Sequence, residues 1–258
     1  MMKARYINLT LFLTLVIFII SLPLVFVDRY LSSSDSPWQL KAFNEDSLSS
    51  FYKNHYHILE DSALSFYLQD TTKPIVMILI DGWGVPYNES LLEKDFSIFE
   101  NNASVFAIHK RAFNVTRLAE NEELKNFFSN GLFISSGDSL NCNKEEFSPN
   151  VFFREKYCFA NLSDFKMIEI LDSLLSEEMW GKVAWTIHQT QKGDSVILHS
   201  TLQKLSKAAK DYPNIQFIIQ GTHRPTLGSP EIRRKYLASW VPAIFINCIL
   251  KLPMKKND

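Results

Sequence analysis

Six consecutive residues, Ile75-Val76-Met77-Ile78-Leu79-Ile80, carry no polar side chain and stop at Asp81-Gly82-Trp83-Gly84. A short unbroken apolar run rich in Ile and Val, ended by glycines, reads as a strand buried on both faces. Strands of that kind belong to parallel sheets covered by helices. A residue at the carboxyl end of such a strand stands where open α/β sheets place their ligands. Asp81 is therefore a candidate site residue. It is equally suited to opening a tight turn, with Gly82 and Gly84 giving the backbone its freedom.

The rest of the chain alternates in the same manner. Gly131 to Ser136, Lys182 to Ile187, Asn214 to Gln220 and Trp240 to Asn247 are further strand candidates. Ser104 to His109 alternates weakly, Tyr87 to Ala103 reads as loop and short helix, and Asn141 to Tyr157 reads as irregular. Helical spacing of apolar residues predicts helices over Ser47–Leu68, Leu118–Phe128, Ser163–Leu175 and Ser195–Ala209, the last capped by Asp194. Strand and helix in alternation give an α/β fold with a largely parallel sheet flanked by helices. His55 and His57 are two apart and share no helix face, so they read as surface or packing residues.

Ile7 to Val27 holds no charge over its whole length, long enough to cross a hydrocarbon core of ~30 Å. Lys3 and Arg5 precede it, and Asp28, Arg29 and Asp35 follow. The positive-inside rule then places residues 1–6 in the cytosol, 7–27 in the membrane as one N-terminal transmembrane helix (a signal anchor), and the bulk of the chain outside the cytosol. A cleaved signal peptide is the competing reading, but the run is long for one and no small-x-small site follows. Residues 28–46, with Ser32-Ser33-Ser34 and Pro37, form a stalk, and 47–258 the extracytoplasmic domain. That domain faces the ER or Golgi lumen or the cell surface in a eukaryotic host. Sequons begin at Asn8, Asn88, Asn102, Asn114 and Asn161; all but Asn8 are candidate glycan sites there. Of three cysteines, Cys142 and Cys158 are candidates to pair and Cys248 is left over. A net charge of −1 leaves no electrostatic footprint for nucleic acid.

The stretch Val76-Met-Ile-Leu-Ile-Asp81-Gly-Trp-Gly-Val-Pro86 resembles the first metal-binding strand of the alkaline-phosphatase superfamily, in its sulfatase and phosphoglycerol and phosphoethanolamine transferase branch. The order of later elements is similar over about two-thirds of the chain. Glu123–Phe133 resembles the helix-then-strand unit. Ala184-Trp-Thr-Ile-His188 resembles the strand ending in a histidine turn. Gly221-Thr-His223-Arg stands at the D-H-G metal motif, and Val241-Pro-Ala-Ile-Phe-Ile246 follows as in the family. The resemblance implies metal-assisted hydrolysis or transfer at a phosphate or sulfate ester, with Zn, Mn or Ca held by Asp81 and His223. His188 would stand on the substrate side. Thr116, opening a helix 35 residues after Asp81, is the nucleophile candidate; a helix cap or half of the Asn114 sequon is its other role. Arg117 beside it suits an anion.

The chain also departs from that pattern. Thr222 stands where the family has aspartate and Arg224 where it has glycine, and no histidine follows His223. A hydroxyl binds these metals more weakly than a carboxylate. Two other readings follow. One is a non-catalytic luminal binding or scaffold domain that keeps the fold. The other is a serine esterase, because Gly137-Asp138-Ser139-Leu140 spells the GDSL nucleophile block, although no D-x-x-H partner follows it.

Overall fold

The computed structural model describes residues 47–60, 63–111, 123–124, 132–137, 155–160, 164–176, 182–187 and 193–252. The 7–27 segment, the stalk, Asn114, Thr116, Arg117, Ser139, Cys142, Asn161 and His188 lie outside these residues. Among the described residues no helix is long and apolar enough to cross a membrane.

Among the described residues eight strands form one sheet: β1 (His57–Leu59), β2 (Ile75–Ile80), β3 (Ser104–Lys110), β4 (Leu132–Gly137), β5 (Glu155–Ala160), β6 (Lys182–Ile187), β7 (Gln216–Gly221) and β8 (Trp240–Ile246). Their order is β1-β3-β8-β7-β2-β6-β4-β5. β8 is antiparallel to both neighbours, β3 and β7, and every other pairing is parallel. The largely parallel α/β class is therefore found. β2, with all six residues buried, lies between β6 and β7. Because β2, β3, β6 and β7 run in one direction, Asp81, Arg111 and Thr222 emerge at the same edge of the sheet.

Among the described residues the helices with full bounds are α1 (Ser50–His55), α2 (Glu89–Ser97), α3 (Asp164–Ser176), α4 (Ser195–Asp211) and α5 (Pro230–Arg233). Val76, Ile78 and Ile80 pack with Leu92 and Phe96 of α2, Leu171 and Leu175 of α3, and Leu202 and Leu205 of α4. Ile75, Met77 and Leu79 face the other way, toward Leu59, Leu64, Leu124 and Phe245. α4 begins as its sequence predicts: the Asp194 side chain accepts hydrogen bonds from the backbone of Val196 and Ile197.

Three expectations are corrected. Ser47–Leu68 is not one helix. α1 stops at Tyr56, whose backbone is extended, β1 follows, and Leu64–Tyr67 is a 3-10 turn. The outer edge of β3 captures His57–Leu59 as a strand, and a ladder with a long strand replaces a short helix. Glu155–Tyr157, read as the end of an irregular stretch, instead opens the edge strand β5, which among the described residues pairs with β4 alone. Ser104–Lys110 is a full strand, because it pairs on both sides.

Candidate active site at the carboxyl edge of the sheet

The site is built on two turns. One, Asp81–Val85, leaves β2; the other, Thr222–Pro225, leaves β7. The Thr222 amide donates to the Ile80 carbonyl at 3.1 Å, which carries the β2–β7 ladder one step beyond the strands. Gly82 has φ 79°, the left-handed region that a glycine takes without strain. The turns touch through their backbones. A Cβ added to Gly84 would lie 2.8 Å from the Arg224 Cα, and one on Gly221 would lie 1.8 Å from the Trp83 carbonyl oxygen. Val85 is tied to the start of β8 and the segment before it by two bonds, donating to Trp240 at 3.1 Å and accepting from Leu237 at 2.8 Å.

This frame brings together residues far apart in sequence. Asp81 is fully buried and His223 is 2% exposed, and His223 Nε2 lies 3.7 Å from Asp81 Oδ1. The Thr222 hydroxyl donates to the same carboxylate oxygen. His223 Nδ1 lies 2.7 Å from the Arg224 carbonyl. A carbonyl only accepts, so Nδ1 carries a proton, and Nε2 is the ring nitrogen that faces Asp81. Arg224, also buried, places a positive charge in the same turn. Asp81 and His223, paired on sequence grounds, are thus neighbours. Ile187, the residue before His188, pairs with Ile80, the residue before Asp81.

The donor set bears on whether a metal fits. Metal-bound imidazole commonly donates its second nitrogen to a backbone carbonyl, as His223 does to Arg224. Two donors at the usual ~2.1 Å from a tetrahedral ion stand about 3.4 Å apart, so the 3.7 Å pair needs little adjustment. Among the described residues no third His, Cys, Asp or Glu completes a shell. The pair fits one side of a divalent ion.

A second polar cluster, missed in the sequence, lies at the same edge. Glu123, fully buried, accepts from Arg111 Nη1, from Gln220 Nε2 at 3.1 Å and, through its other oxygen, from the Leu64 amide at 2.9 Å. Gln220 Nε2 also donates to His109 Nδ1 at 3.2 Å. The cue in the sequence is a polar residue at the end of an apolar strand: Gln220 in NIQFIIQ and His109 in SVFAIH.

A third feature surrounds Trp83. Its indole donates to Asp95 Oδ2 at 3.0 Å, and its ring meets Phe96 edge to face at 6.3 Å. Burial raises the Asp95 carboxyl to about 6, while the indole bond, His199 and Lys94 pull it back. His199, which does not share a face with Asp194, therefore acts toward α2. Cys248 is half-buried and its thiol is pushed up to about 12 by burial, so it is inert as a nucleophile. The side chain of Asn102, a sequon residue, is engaged by α4: its Nδ2 donates to the Ser206 carbonyl at 3.1 Å, and its Oδ1 accepts from the Ser206 hydroxyl at 3.2 Å.

No family model and no curated protein matches the chain. Solved structures similar to it include a protein in the alkaline phosphatase superfamily from Vibrio parahaemolyticus, 11% identical, with 84% of this chain and 72% of that chain covered and a TM-score of 0.49. The lipoteichoic acid synthase LtaP from Listeria monocytogenes is 13% identical, with 76% and 70% covered and a TM-score of 0.44. The C-terminal periplasmic domain of EcEptC from Escherichia coli, in complex with Zn, is 9% identical, with 74% and 77% covered and a TM-score of 0.43.

Proposed function

We propose that this chain is a membrane-anchored, extracytoplasmic alkaline-phosphatase-like domain that hydrolyses or transfers a phosphate or sulfate ester with a divalent cation, Zn, Mn or Ca. The observation that carries this reading is the meeting of Asp81 and His223 at the carboxyl ends of adjacent parallel strands, 3.7 Å apart, with the imidazole Nε2 toward the carboxylate. Asp81 and His223 hold the cation. When bound, it polarises the ester oxygen and stabilises developing charge. Arg224 offsets the charge of the anionic ester. The resemblance gives Thr116 the nucleophile's role and His188 the contact to substrate or leaving group. Residues 7–27 hold the domain at the membrane.

The test is elemental analysis of the purified full-length chain beside Asp81→Ala and His223→Ala, with a panel of phosphomonoesters, phosphodiesters and sulfate esters. Stoichiometric metal in the wild type, lost in both variants together with turnover, is the expected result. A well-folded wild type without metal or turnover overturns it.

A second reading rests on a specific substitution. Thr222 and Arg224 replace the acidic and glycine positions of the family motif, and Thr222 spends its hydroxyl on Asp81. A domain that binds an anionic ester without cleaving it needs Arg224 and not a full metal shell. Binding of a phosphate ester, lost in Arg224→Met, with no turnover of any ester would select this reading.

A further inference from the structure

We propose that Asp95 is a proton-responsive positioning residue: its grip on the Trp83 indole fixes the turn that carries Asp81 against the turn that carries His223. The geometry makes Trp83 the link. Its side chain, 1% exposed, is clamped by two neighbours on α2, Asp95 by a 3.0 Å hydrogen bond and Phe96 by an edge-to-face contact. Its carbonyl lies over the Cα of Gly221, one residue before Thr222 and two before His223. Any shift of the Trp83 backbone therefore changes the spacing of the two turns.

Asp95 can respond to protons because of what faces it. Lys94 lies beside it on α2, His199 reaches it from α4, and the Tyr236 phenol faces it from the segment after α5. Burial is the largest influence and holds the carboxyl near 6. An ionised carboxylate makes a charge-assisted bond to the indole, about twice as strong as the bond to a neutral acid. A half-buried carboxylate costs stability at neutral pH, and such costs are commonly kept where position matters to a site. The consequence for cation binding rests on the reading of Asp81 and His223 as a cation-holding pair; the effect on Trp83 does not.

The experiment uses the full-length chain in detergent, with the Trp83 indole N–H resonance assigned through Trp83→Phe. The expected result is that this resonance titrates between pH 5 and 7, that the Gly221 amide moves with it, and that both are flat in Asp95→Asn. Removing the His199 imidazole, whose electrostatic influence lowers the Asp95 value, in His199→Ala, should move the midpoint upward. The ratio of wild-type to Asp95→Asn affinity for Zn2+ should change at least threefold between pH 5 and 7.5, which subtracts the titration of the site itself. A Trp83 resonance that is flat in the wild type, that titrates unchanged in Asp95→Asn, or that keeps its midpoint in His199→Ala overturns the proposal. A Gly221 amide that stays still while Trp83 titrates overturns the coupling of the two turns. Absence of Zn2+ binding at every pH strikes the cation-holding reading instead, and the two resonances still decide the role of Asp95.

Discussion

The Trp83 carbonyl occupies the place that a side chain on Gly221 would need, 1.8 Å from the position of its Cβ. No rotamer relieves that overlap, because both partners are backbone. Gly221→Ala should therefore separate the two turns and destabilise the fold by ~3 kcal/mol, the upper range for overpacking. Urea unfolding measures this. Gly84→Ala meets the Arg224 backbone at 2.8 Å and should cost less, about 1–3 kcal/mol. Neutral behaviour of both variants would show that the turns are not in contact.

Asp95 sets a pH dependence of stability whose sign is opposite to that of a salt-bridged carboxylate. Its folded-state value is raised from 3.8 to about 6, mainly by burial. The folded chain thus holds this proton more tightly than the unfolded one. Its stabilising contribution is full below the unfolded value and is lost as pH rises through 6. The difference between the two values corresponds to roughly 3 kcal/mol. Asp95→Asn, whose amide oxygen still accepts from Trp83, should be more stable than wild type at pH 7.5 by up to that amount, with the difference shrinking toward pH 4. A variant less stable at pH 7.5 contradicts this.

Thr222 stands at the acidic position of the D-H-G motif that Gly221–Arg224 resembles, and Thr222→Asp installs that residue. Thr222→Asp would place a second carboxylate beside Asp81 and should tighten binding of Zn2+ or Mn2+ tenfold or more, read by competition with a chromophoric chelator. Without metal, two buried carboxylates repel, so the same variant should be less stable in a chelator and regain stability when metal is added. Thr222→Val only removes the hydroxyl that Asp81 accepts and should cost about 1–3 kcal/mol.

Glu123 and Arg111 form a buried ion pair, with 0% and 3% of their side chains exposed. Removing one partner strands the other. Glu123→Ala should cost about 3–5 kcal/mol. The double variant Arg111→Met, Glu123→Leu should cost less than Glu123→Ala alone. Additive losses in denaturant unfolding would rule out the pair as a unit.

Much of the fold is legible where the local pattern and the environment agree. Ile75–Ile80 is apolar because both faces are covered, and α4 announces itself by the Asp194 cap and its apolar stripe. β1 and β5 are not legible. They are edge strands, short or polar, and it is their partners β3 and β4 that make them strands. Nothing in Trp240–Ile246 reveals that β8 runs against the rest. The site divides in the same way. Asp81 and His223 stand out as polar residues at strand ends within a family pattern. Asp95 reads as the wet side of α2, between Leu92 and Phe96, and Glu123 as one acid in a Glu-rich helix. Their burial comes from Trp83, Arg111 and Gln220, contacts that no local window holds.

The place of β2 at the middle of the sheet has a bearing on synthesis. Its two neighbours, β6 and β7, begin at Lys182 and Gln216, about a hundred residues and more after Ile80. At typical ribosomal speeds of ~5–20 residues per second, the most apolar strand of the domain leaves the ribosome and waits several seconds without a partner. Its hydrophobic sequence is then open to wrong pairing. A holding chaperone that covers this segment should raise the soluble yield, and slowing translation between Ile80 and Lys182 should lower it.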